Sequence, residues 1–258
     1  MKSVLVTGAC INTGVAIVRR FAQEGYHVVF TGRNIENVHE AEKKYQNEFP
    51  HVVIRGFALD SLDEQGNVDF NSVRALFNRL ERENVFIETL VLNAADQGLG
   101  MKIFENHISD FVSVFNTNVV WNYCLIEEAA KRMREQGGGN IVFVNSNTAY
   151  RAIPDRIAYV TSKGAQLGMM RALAVDLGKF HIRVNAVLPG MIKTDRWQKN
   201  PEFYRTIPSR FTPLGEVADG SDIADAVFYF AAHAANTTGA ELVVDGGNTV
   251  QLYPIVKQ

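Results

Sequence analysis

The amino-acid sequence predicts an α/β fold in which helices cover both faces of one doubly wound parallel sheet. Short runs rich in valine and isoleucine alternate along the chain with longer amphipathic segments. The runs are apolar on both faces, which is typical of parallel strands buried between two helical layers. A glycine-containing turn follows the first run, as expected where a strand passes into a helix. The 258 residues include no linker or low-complexity stretch, so we expect a single domain over residues 1–258.

Seven apolar runs are the predicted strands. They are too short for helices and are bounded by polar or glycine-containing segments. In chain order they span residues 4–7, 28–31, 52–59, 90–93, 141–146, 184–188 and 242–245.

The segments between these runs are the predicted helices. In the first, Val15, Val18 and Ala22 form one apolar stripe, and Gly25 ends it. Repeated alternation of strand and helix favours right-handed crossovers within one sheet. The other predicted helices span residues 38–48, 70–83, 111–134 and 157–177.

Composition argues against several function classes. Lys and Arg number 26 against 28 Asp and Glu, and a net charge of −2 provides no basic surface for nucleic acid or an anionic membrane. No apolar stretch has the length of a membrane span or of a signal-peptide core. Cys10 and Cys124 form neither a disulfide framework nor a metal-binding spacing. We expect a cytoplasmic protein with no metal site and no nucleic-acid or membrane partner.

The turn after the first run, residues 7–14, is a candidate phosphate-binding loop. At this place in an α/β sheet, the pyrophosphate of a dinucleotide meets backbone N–H groups and the positive end of a helix dipole. Gly8 suits the tight turn, and Gly14 allows the helix to pack close to the strand. Asn12, followed by Thr13, stands where a glycine is usual, and asparagine tolerates the left-handed conformation better than most residues. The alternative is an ordinary glycine turn.

Tyr159 and Lys163 form a candidate proton-transfer pair. They lie four residues apart within a predicted helix and therefore share one of its faces. A tyrosine with a pKa of about 10 is a poor acid–base catalyst at neutral pH, and a neighbouring ammonium is expected to lower that pKa. Ser146, thirteen residues before Tyr159, ends a predicted strand, where a hydroxyl faces the ligand crevice. Taken alone, each is equally consistent with an ordinary surface or turn residue.

These features, in this order, resemble the classical short-chain dehydrogenase/reductase family over essentially the whole chain, and the resemblance implies a single-domain Rossmann-like fold. Further positions that match the family pattern include the acidic Asp60 after the third strand and Asn93-Ala94 after the fourth. Asn118 stands at the place of the helix asparagine of the family. The last matching segments are residues 185–190, 192–194 and 245–247.

The resemblance implies an NAD(P)-dependent oxidoreductase that transfers a hydride between nicotinamide and a carbonyl or secondary alcohol. Tyr159 is then the general acid or base, and Ser146 orients the substrate oxygen. Lys163 lowers the pKa of Tyr159 and holds the nicotinamide ribose. Asn118 anchors a water that links Lys163 to solvent. The implied cofactor-binding residues are Gly8, Asn12, Thr13, Gly14, Arg33, Asp60, Asn93, Ala94, Tyr159, Lys163, Pro189, Gly190, Ile192 and Thr194.

The end of the second predicted strand favours NADP, with NAD as the alternative. An NAD-dependent enzyme needs a carboxylate there for the ribose 2′-hydroxyl, and Gly32 stands in that place. Arg33 follows, where a guanidinium can pair with a 2′-phosphate.

The substrate class stays open at this stage. NADPH-linked ketone reduction leads, with a 3-oxoacyl-thioester reductase, a sugar, polyol or steroid dehydrogenase, or a non-catalytic cofactor-binding regulator as alternatives. Residues 95–107, 147–156 and 191–214 are expected to face a small-molecule substrate, the last as a lid. The arginines of these segments, Arg151, Arg156, Arg196 and Arg210, could meet an acidic group or be ordinary surface residues. The resemblance also implies a homotetramer, or a homodimer, that pairs through helices 111–134 and 157–177.

Overall fold

The computed structural model describes residues 2–194, 202, 206 and 210–254. Within these residues one parallel sheet has the strand order β3-β2-β1-β4-β5-β6-β7. The predicted doubly wound α/β class is therefore confirmed, and each predicted run contains a strand. The strands are β1 Ser3–Val6, β2 His27–Gly32, β3 Ile54–Ala58, β4 Thr89–Leu92, β5 Gly139–Val144, β6 Ile182–Pro189 and β7 Glu241–Val244.

Helices lie on both faces of this sheet. The predicted helix 111–134 is a composite, because a π-helical turn at Asn116–Val120 separates two α-helices. Such wide turns occur mostly at functional sites. The helices are α1 Asn12–Gln23, α2 Ile35–Glu48, α3 Phe70–Arg82, α4 Ile108–Phe115, α5 Trp121–Glu135, α6 Ile157–Gly178 and α7 Gly220–Ala232.

The helix α7 was missing from the sequence-based prediction. It starts from a capping box in which Asp219 accepts from the Ser221 N–H and Asp222 accepts from the Asp219 N–H. This box is a readable start signal in the sequence. Ile223, Val227 and their neighbours face the sheet, so burial as well as capping holds the helix.

Alternation of side chains along the strands produces two cores. Val4 and Val6 of β1 pack with α1, α2 and α7, whereas Leu5 points to the opposite face, against α3, α5 and α6. Two helical layers explain why the central strands carry apolar side chains on both faces.

The order in which the strands are added to the sheet reverses at β1. This strand pairs with β2 on one side and with β4 on the other. Ligands of open α/β sheets bind at the carboxyl ends of the strands beside such a switch point. The segments that follow β1, β4 and β5 therefore meet at one crevice.

Two glycines allow a matched test of the packing. A Cβ on Gly56 of β3 would lie 2.5 Å from Val38 Cγ1 and 2.6 Å from Phe30 Cζ, whereas a Cβ on Gly168 of α6 would meet nothing within 4 Å. We expect Gly56→Ala to lower the free energy of unfolding by about 1–3 kcal/mol through overpacking. Gly168→Ala should raise it by roughly 0.5–1 kcal/mol through helix propensity. Chemical denaturation measures both, and an unchanged Gly56→Ala variant would contradict the close packing of α2 on β3.

Candidate active site

The turn between β1 and α1 leaves the first turn of the helix without a side-chain cap. The N-cap residue Ile11 makes no capping hydrogen bond, and the first turn of α1 carries no acidic residue. The exposed N–H groups there keep their capacity to bind an anion. Gly8 has a φ of 65° and Asn12 a φ of 49°, so both are left-handed, a conformation that asparagine tolerates better than most residues.

Gly14 brings α1 close to β1, as expected from the sequence. A Cβ at this position would lie 2.5 Å from the Gly8 carbonyl oxygen and 2.6 Å from Ala9 Cα. Any side chain would push the helix away from the loop. Thr13 lies half-buried beside it in the first turn of α1. The geometry thus fits a pyrophosphate held at the N-terminus of α1.

Thr7 is a hydrogen-bonding centre that sequence reasoning missed. Its Oγ1 accepts from the N–H groups of Asn93 and Ala94, each at 3.0 Å. The side-chain amide of Asn93 donates back to the carbonyls of Thr7 and Gly8, each at 3.0 Å. Asn93 and Ala94 therefore join the candidate phosphate-binding loop to the end of β4 through these hydrogen bonds.

Tyr45 of α2 supports the same loop, and the sequence gave no signal for it. Its buried hydroxyl donates to the Ala9 carbonyl at 2.6 Å, and its ring packs on Phe30 with the centroids 5.2 Å apart. Burial raises the pKa of Tyr45, so this hydroxyl stays protonated and continues to donate.

The ends of β2 and β3 frame the expected adenosine position. Gly32 is buried, and a Cβ there would overlap the Cys10 sulfur, whereas Arg33 and Asp60 are exposed. The Asp60 carboxylate accepts from the Ser61 N–H at 2.7 Å. The position expected to carry a carboxylate in an NAD-dependent enzyme thus has no room for one beside Cys10.

Ser146 follows β5 and contacts Tyr159. Its Oγ accepts from the Thr148 hydroxyl at 2.9 Å and from the Thr148 N–H at 3.2 Å. Because these two donors use the lone pairs of Ser146, its own proton is left for another acceptor, and Ser146 acts on Tyr159 by lowering the pKa of the phenol. Thr148 therefore orients the Ser146 hydroxyl, a role that the sequence pattern did not indicate.

Tyr159 and Lys163 share one face of α6, as the four-residue spacing predicted. The Lys163 Nζ lies 5.6 Å from the centroid of the Tyr159 ring and donates to the Val144 carbonyl at 3.0 Å. Lys163 is only 2% exposed, which is rare for a lysine. The hydrogen bond to Val144 holds its ammonium at the carboxyl end of β5, beside the ring of Tyr159.

The protonation of the pair differs from the sequence-based expectation. Burial lowers the pKa of Lys163 to about 7. Burial also raises the pKa of Tyr159, which outweighs the opposite effects of the Ser146 hydrogen bond and the Arg156 charge. Lys163 is not among the groups that lower the pKa of Tyr159 here, because its own charged form is disfavoured by the same burial. A protonated Tyr159 is a proton donor beside Ser146.

Asn118 lies in the π-helical turn and is fully buried. Its side chain accepts from the Asp96 N–H at 2.8 Å and donates to the Asp96 carbonyl at 2.8 Å and to the Ser162 hydroxyl at 2.9 Å. Its main-chain carbonyl accepts from the side-chain amides of Asn122 at 2.8 Å and Gln166 at 2.7 Å. Asn118 thus connects the segment after β4 to α6.

The segment after β6 forms the far wall of the crevice. Pro189 ends β6, and a Cβ on Gly190 would lie 2.5 Å from the Cβ of Asp245. Ile192 pairs with Ala218 in an isolated bridge. Thr194, which is partly buried, lies at the end of the described stretch.

Two of the four arginines of the expected substrate segments contact main-chain carbonyls. Arg151 donates to the carbonyls of Asn248 and Gln251, each at 2.6 Å, and so holds the C-terminal segment. Arg156 donates to the Gln97 carbonyl at 2.7 Å. Arg196 and most of the expected lid 191–214 lie outside the described residues.

Two further observations concern ligand classes and membranes. Within the described ranges, no three His, Cys, Asp or Glu side chains are arranged to hold a metal ion. No helix in this part of the chain combines the length and the apolar character needed to cross a bilayer.

The buried Lys163 predicts a pH-dependent stability of the cofactor-free chain. An unfolded lysine releases its proton near 10.5 and the folded Lys163 near 7, so the unfolded chain binds more protons between these values. Raising the pH from about 7 to about 9.5 should therefore stabilise the parent relative to Lys163→Met by an amount on the order of a few kcal/mol. Chemical denaturation along a pH series measures the difference. Lys43→Met, which replaces an exposed lysine, is the control, and the stability difference between it and the parent should not change with pH.

Comparisons with known proteins agree with this geometry. A family model described as enoyl-(acyl carrier protein) reductase matches residues 8–249. A 3alpha-hydroxysteroid dehydrogenase of Mediterraneibacter gnavus is 32% identical, with 95% of this chain and 96% of the relative aligned. A 3-oxoacyl-[acyl-carrier-protein] reductase of Bos taurus is 30% identical over 95% and 97% of the two chains. The human dehydrogenase/reductase SDR family member 4 is 30% identical over 97% of this chain and 88% of its own length.

Solved structures share the fold along almost the whole chain. ElxO with NADP bound superposes with a TM-score of 0.85 at 29% identity, covering 97% of this chain and 99% of that one. A 7 alpha-hydroxysteroid dehydrogenase in complex with NADH and 7-oxo glycochenodeoxycholic acid superposes with a TM-score of 0.85 at 28% identity, covering 97% and 95%. The chain belongs to the short-chain dehydrogenase/reductase family and is an NAD(P)-dependent oxidoreductase.

Proposed function

We propose that this enzyme reduces a ketone with NADPH and that Tyr159 is the general acid. The observation that carries the proposal is that the Ser146 hydroxyl at the carboxyl end of β5 lies close enough to Tyr159 to lower its pKa, with the buried Lys163 beside the same ring. Two hydroxyls placed in this way can bind one carbonyl oxygen between them. Burial raises the pKa of Tyr159, so the phenol keeps its proton at neutral pH and can donate it to a bound carbonyl oxygen.

Each described residue of the site then has a specific task. The bound nicotinamide supplies the hydride. The uncapped N-terminus of α1 holds the pyrophosphate, with Gly8 and Asn12 shaping the loop. Lys163 binds the nicotinamide ribose, Ser146 donates to the carbonyl oxygen, and Tyr159 transfers its proton to that oxygen as charge develops there. Asn118 keeps the segment after β4 at the correct distance from α6.

NADP is the proposed cofactor, with NAD as the alternative. A side chain at Gly32 would overlap the Cys10 sulfur, and the exposed Arg33 follows. Arg33 is therefore proposed to pair with the 2′-phosphate, and Asp60 to meet the adenine. Ile192 and Thr194, with Pro189 and Gly190 before them, are proposed to contact the nicotinamide.

An apolar or amphipathic ketone is the proposed substrate class. Three side chains of the segment between β4 and α4 are exposed, Leu99 by 56%, Ile103 by 67% and Phe104 by 97%. In the same segment, Gly98 lies next to the Cβ of Tyr159, so this apolar surface begins at the site. An acidic acyl carrier would need basic side chains at the entrance, and Arg151 and Arg156 are engaged with main-chain carbonyls. A 3-oxoacyl thioester is thus the second candidate, and a non-catalytic regulator receives no support from these contacts.

We further propose that residues 1–258 form a single domain and that the protein is a cytoplasmic homotetramer, or a homodimer. A surface groove between α5 and α6 supports pairing through these helices, because Tyr123, Leu173 and Phe180 present apolar area there. Chromatography with light scattering determines the number of subunits.

Replacing Tyr159 with phenylalanine tests the mechanism. We expect Tyr159→Phe to lower kcat/KM for ketone reduction by roughly 10²–10⁴-fold, because the proton donor is lost. NADPH binding should be nearly unchanged. The measurement follows NADPH absorbance with a 3-oxosteroid, a 3-oxoacyl thioester, an enoyl thioester and a ketose. Tyr229→Phe, remote from the site on α7, serves as the control, and full activity of Tyr159→Phe would refute the role of Tyr159.

Replacing Arg33 with alanine tests the cofactor preference. We expect Arg33→Ala to raise KM for NADPH by roughly tenfold or more, because a charged hydrogen bond to the 2′-phosphate is lost. KM for NADH should change little, since NADH has no such group. Arg82→Ala, on the surface of α3, is a charge-matched control. Equal effects of Arg33→Ala on both cofactors, or a parent that prefers NADH, would contradict this assignment.

A further inference from the structure

Gln166 is a buried polar residue that neither the sequence pattern nor the proposed mechanism has used. It lies on α6 one turn after Lys163 and is 1% exposed. Its Oε1 is 3.3 Å from the Lys163 Nζ and 3.0 Å from the Asn145 Nδ2. Its Nε2 donates to the Asn118 carbonyl at 2.7 Å. One side chain therefore contacts both the active-site lysine and the asparagine of the π-helical turn.

The neighbours of Gln166 fix the orientation of its amide. Two donors, the ammonium of Lys163 and the amide of Asn145, face its oxygen, and a carbonyl faces its nitrogen. A flipped amide would place N–H groups against an ammonium and oxygen against oxygen. Asn145 is itself held by the Lys163 carbonyl, to which it donates at 3.0 Å.

The Asn118 carbonyl has no remaining lone pair for a further strong donor. It accepts from Gln166 and from Asn122, and a carbonyl oxygen has two lone pairs. The family resemblance assigned a water to Asn118 as the partner of Lys163. In this chain the side chain of Gln166 occupies the place between these two residues.

We propose that Gln166 is a positioning residue of the reaction, whose amide couples Lys163 to the Asn118 carbonyl in place of a water. The proposal rests on the proposed function, because it concerns how Lys163 is held beside Tyr159 and the cofactor. Gln166 Oε1 and the Val144 carbonyl accept two of the three ammonium protons and leave the third for the ribose. Since an amide does not titrate near neutral pH, the link anchors the charge of Lys163 and passes no proton beyond it.

The groups that surround Lys163 determine how its pKa responds to a substitution at Gln166. The contacts at the end of β5 are neutral, because the ammonium donates to the carbonyl of Val144 and the amide of Asn145 donates to the main-chain carbonyl of Lys163. Tyr159 on its own helix is the nearest titrating neighbour. Arg156 is the charged residue that acts on Tyr159. An acceptor lost at Gln166 therefore disfavours the ammonium, and a carboxylate gained there favours it.

Gln166→Leu and Gln166→Glu test the proposal in opposite directions. We expect Gln166→Leu to reduce kcat/KM by roughly ten- to a hundredfold, the effect of one hydrogen bond lost by a charged group. In the pH profile of kcat/KM, the alkaline limb reports the loss of the Lys163 proton, and it should move to lower pH in Gln166→Leu. It should move to higher pH in Gln166→Glu, by about one unit or more. Gln166→Met, which keeps the length of the side chain, replaces Gln166→Leu if the latter fails to fold.

Asn122→Leu is the matched control. It removes the other donor to the same Asn118 carbonyl without touching Lys163, so it should lower stability but leave the alkaline limb in place. A second readout needs no turnover, namely the pH dependence of unfolding and of NADPH fluorescence on binding. Alkaline limbs that coincide in the parent, both Gln166 variants and the control would overturn the proposal. A parent without ketone reductase activity would refute the proposed function, and the unfolding series would still decide the role of Gln166.

Discussion

The burial of one ammonium group constrains the whole site. Lys163 is almost completely removed from solvent, and its pKa falls to about 7 as a result. A charge in such a place needs compensating dipoles, because desolvation costs several kcal/mol per ion. The carbonyl of Val144 at the end of β5 and the amide of Gln166 supply them. The packing of α6 against β6, the hydrogen bonds of Asn145 and the amide network around the π-helical turn hold these dipoles in place.

A second network holds the cofactor loop in register with the catalytic side of the sheet. Thr7 and Asn93 exchange hydrogen bonds between the ends of β1 and β4, and Asn118 continues the connection through Asp96 to α6. The candidate phosphate-binding loop and the helix that carries Tyr159 are thus linked through amides and hydroxyls. Such fully satisfied networks fix geometry, because each member has a defined partner. The short distances required for hydride transfer depend on this rigidity.

Local patterns in the sequence were sufficient for the strands, for most helices and for the Tyr159–Lys163 pair. Apolar runs between two helical layers are visible in the chain itself, and a four-residue spacing defines a helix face. The left-handed backbone of Asn12 also followed from residue type. Other features depend on tertiary contact. Thr7, Thr148 and Gln166 are ordinary polar residues in the sequence, and only the fold brings their partners to them. The direction of the Tyr159 pKa shift was missed for the same reason, because only the fold shows that Tyr159 and Lys163 are both buried.

The contact between Gly32 and Cys10 has a consequence for how this chain can diverge. A carboxylate after β2 is the simplest route to a preference for NAD, but any side chain at Gly32 would overlap the Cys10 sulfur. The first mutation on that route therefore damages the fold before it improves recognition, unless residue 10 has already become smaller. The order of substitutions matters, and the two positions are expected to show sign epistasis. A lineage that retains Cys10 is therefore expected to retain glycine at position 32, whichever nucleotide selection favours.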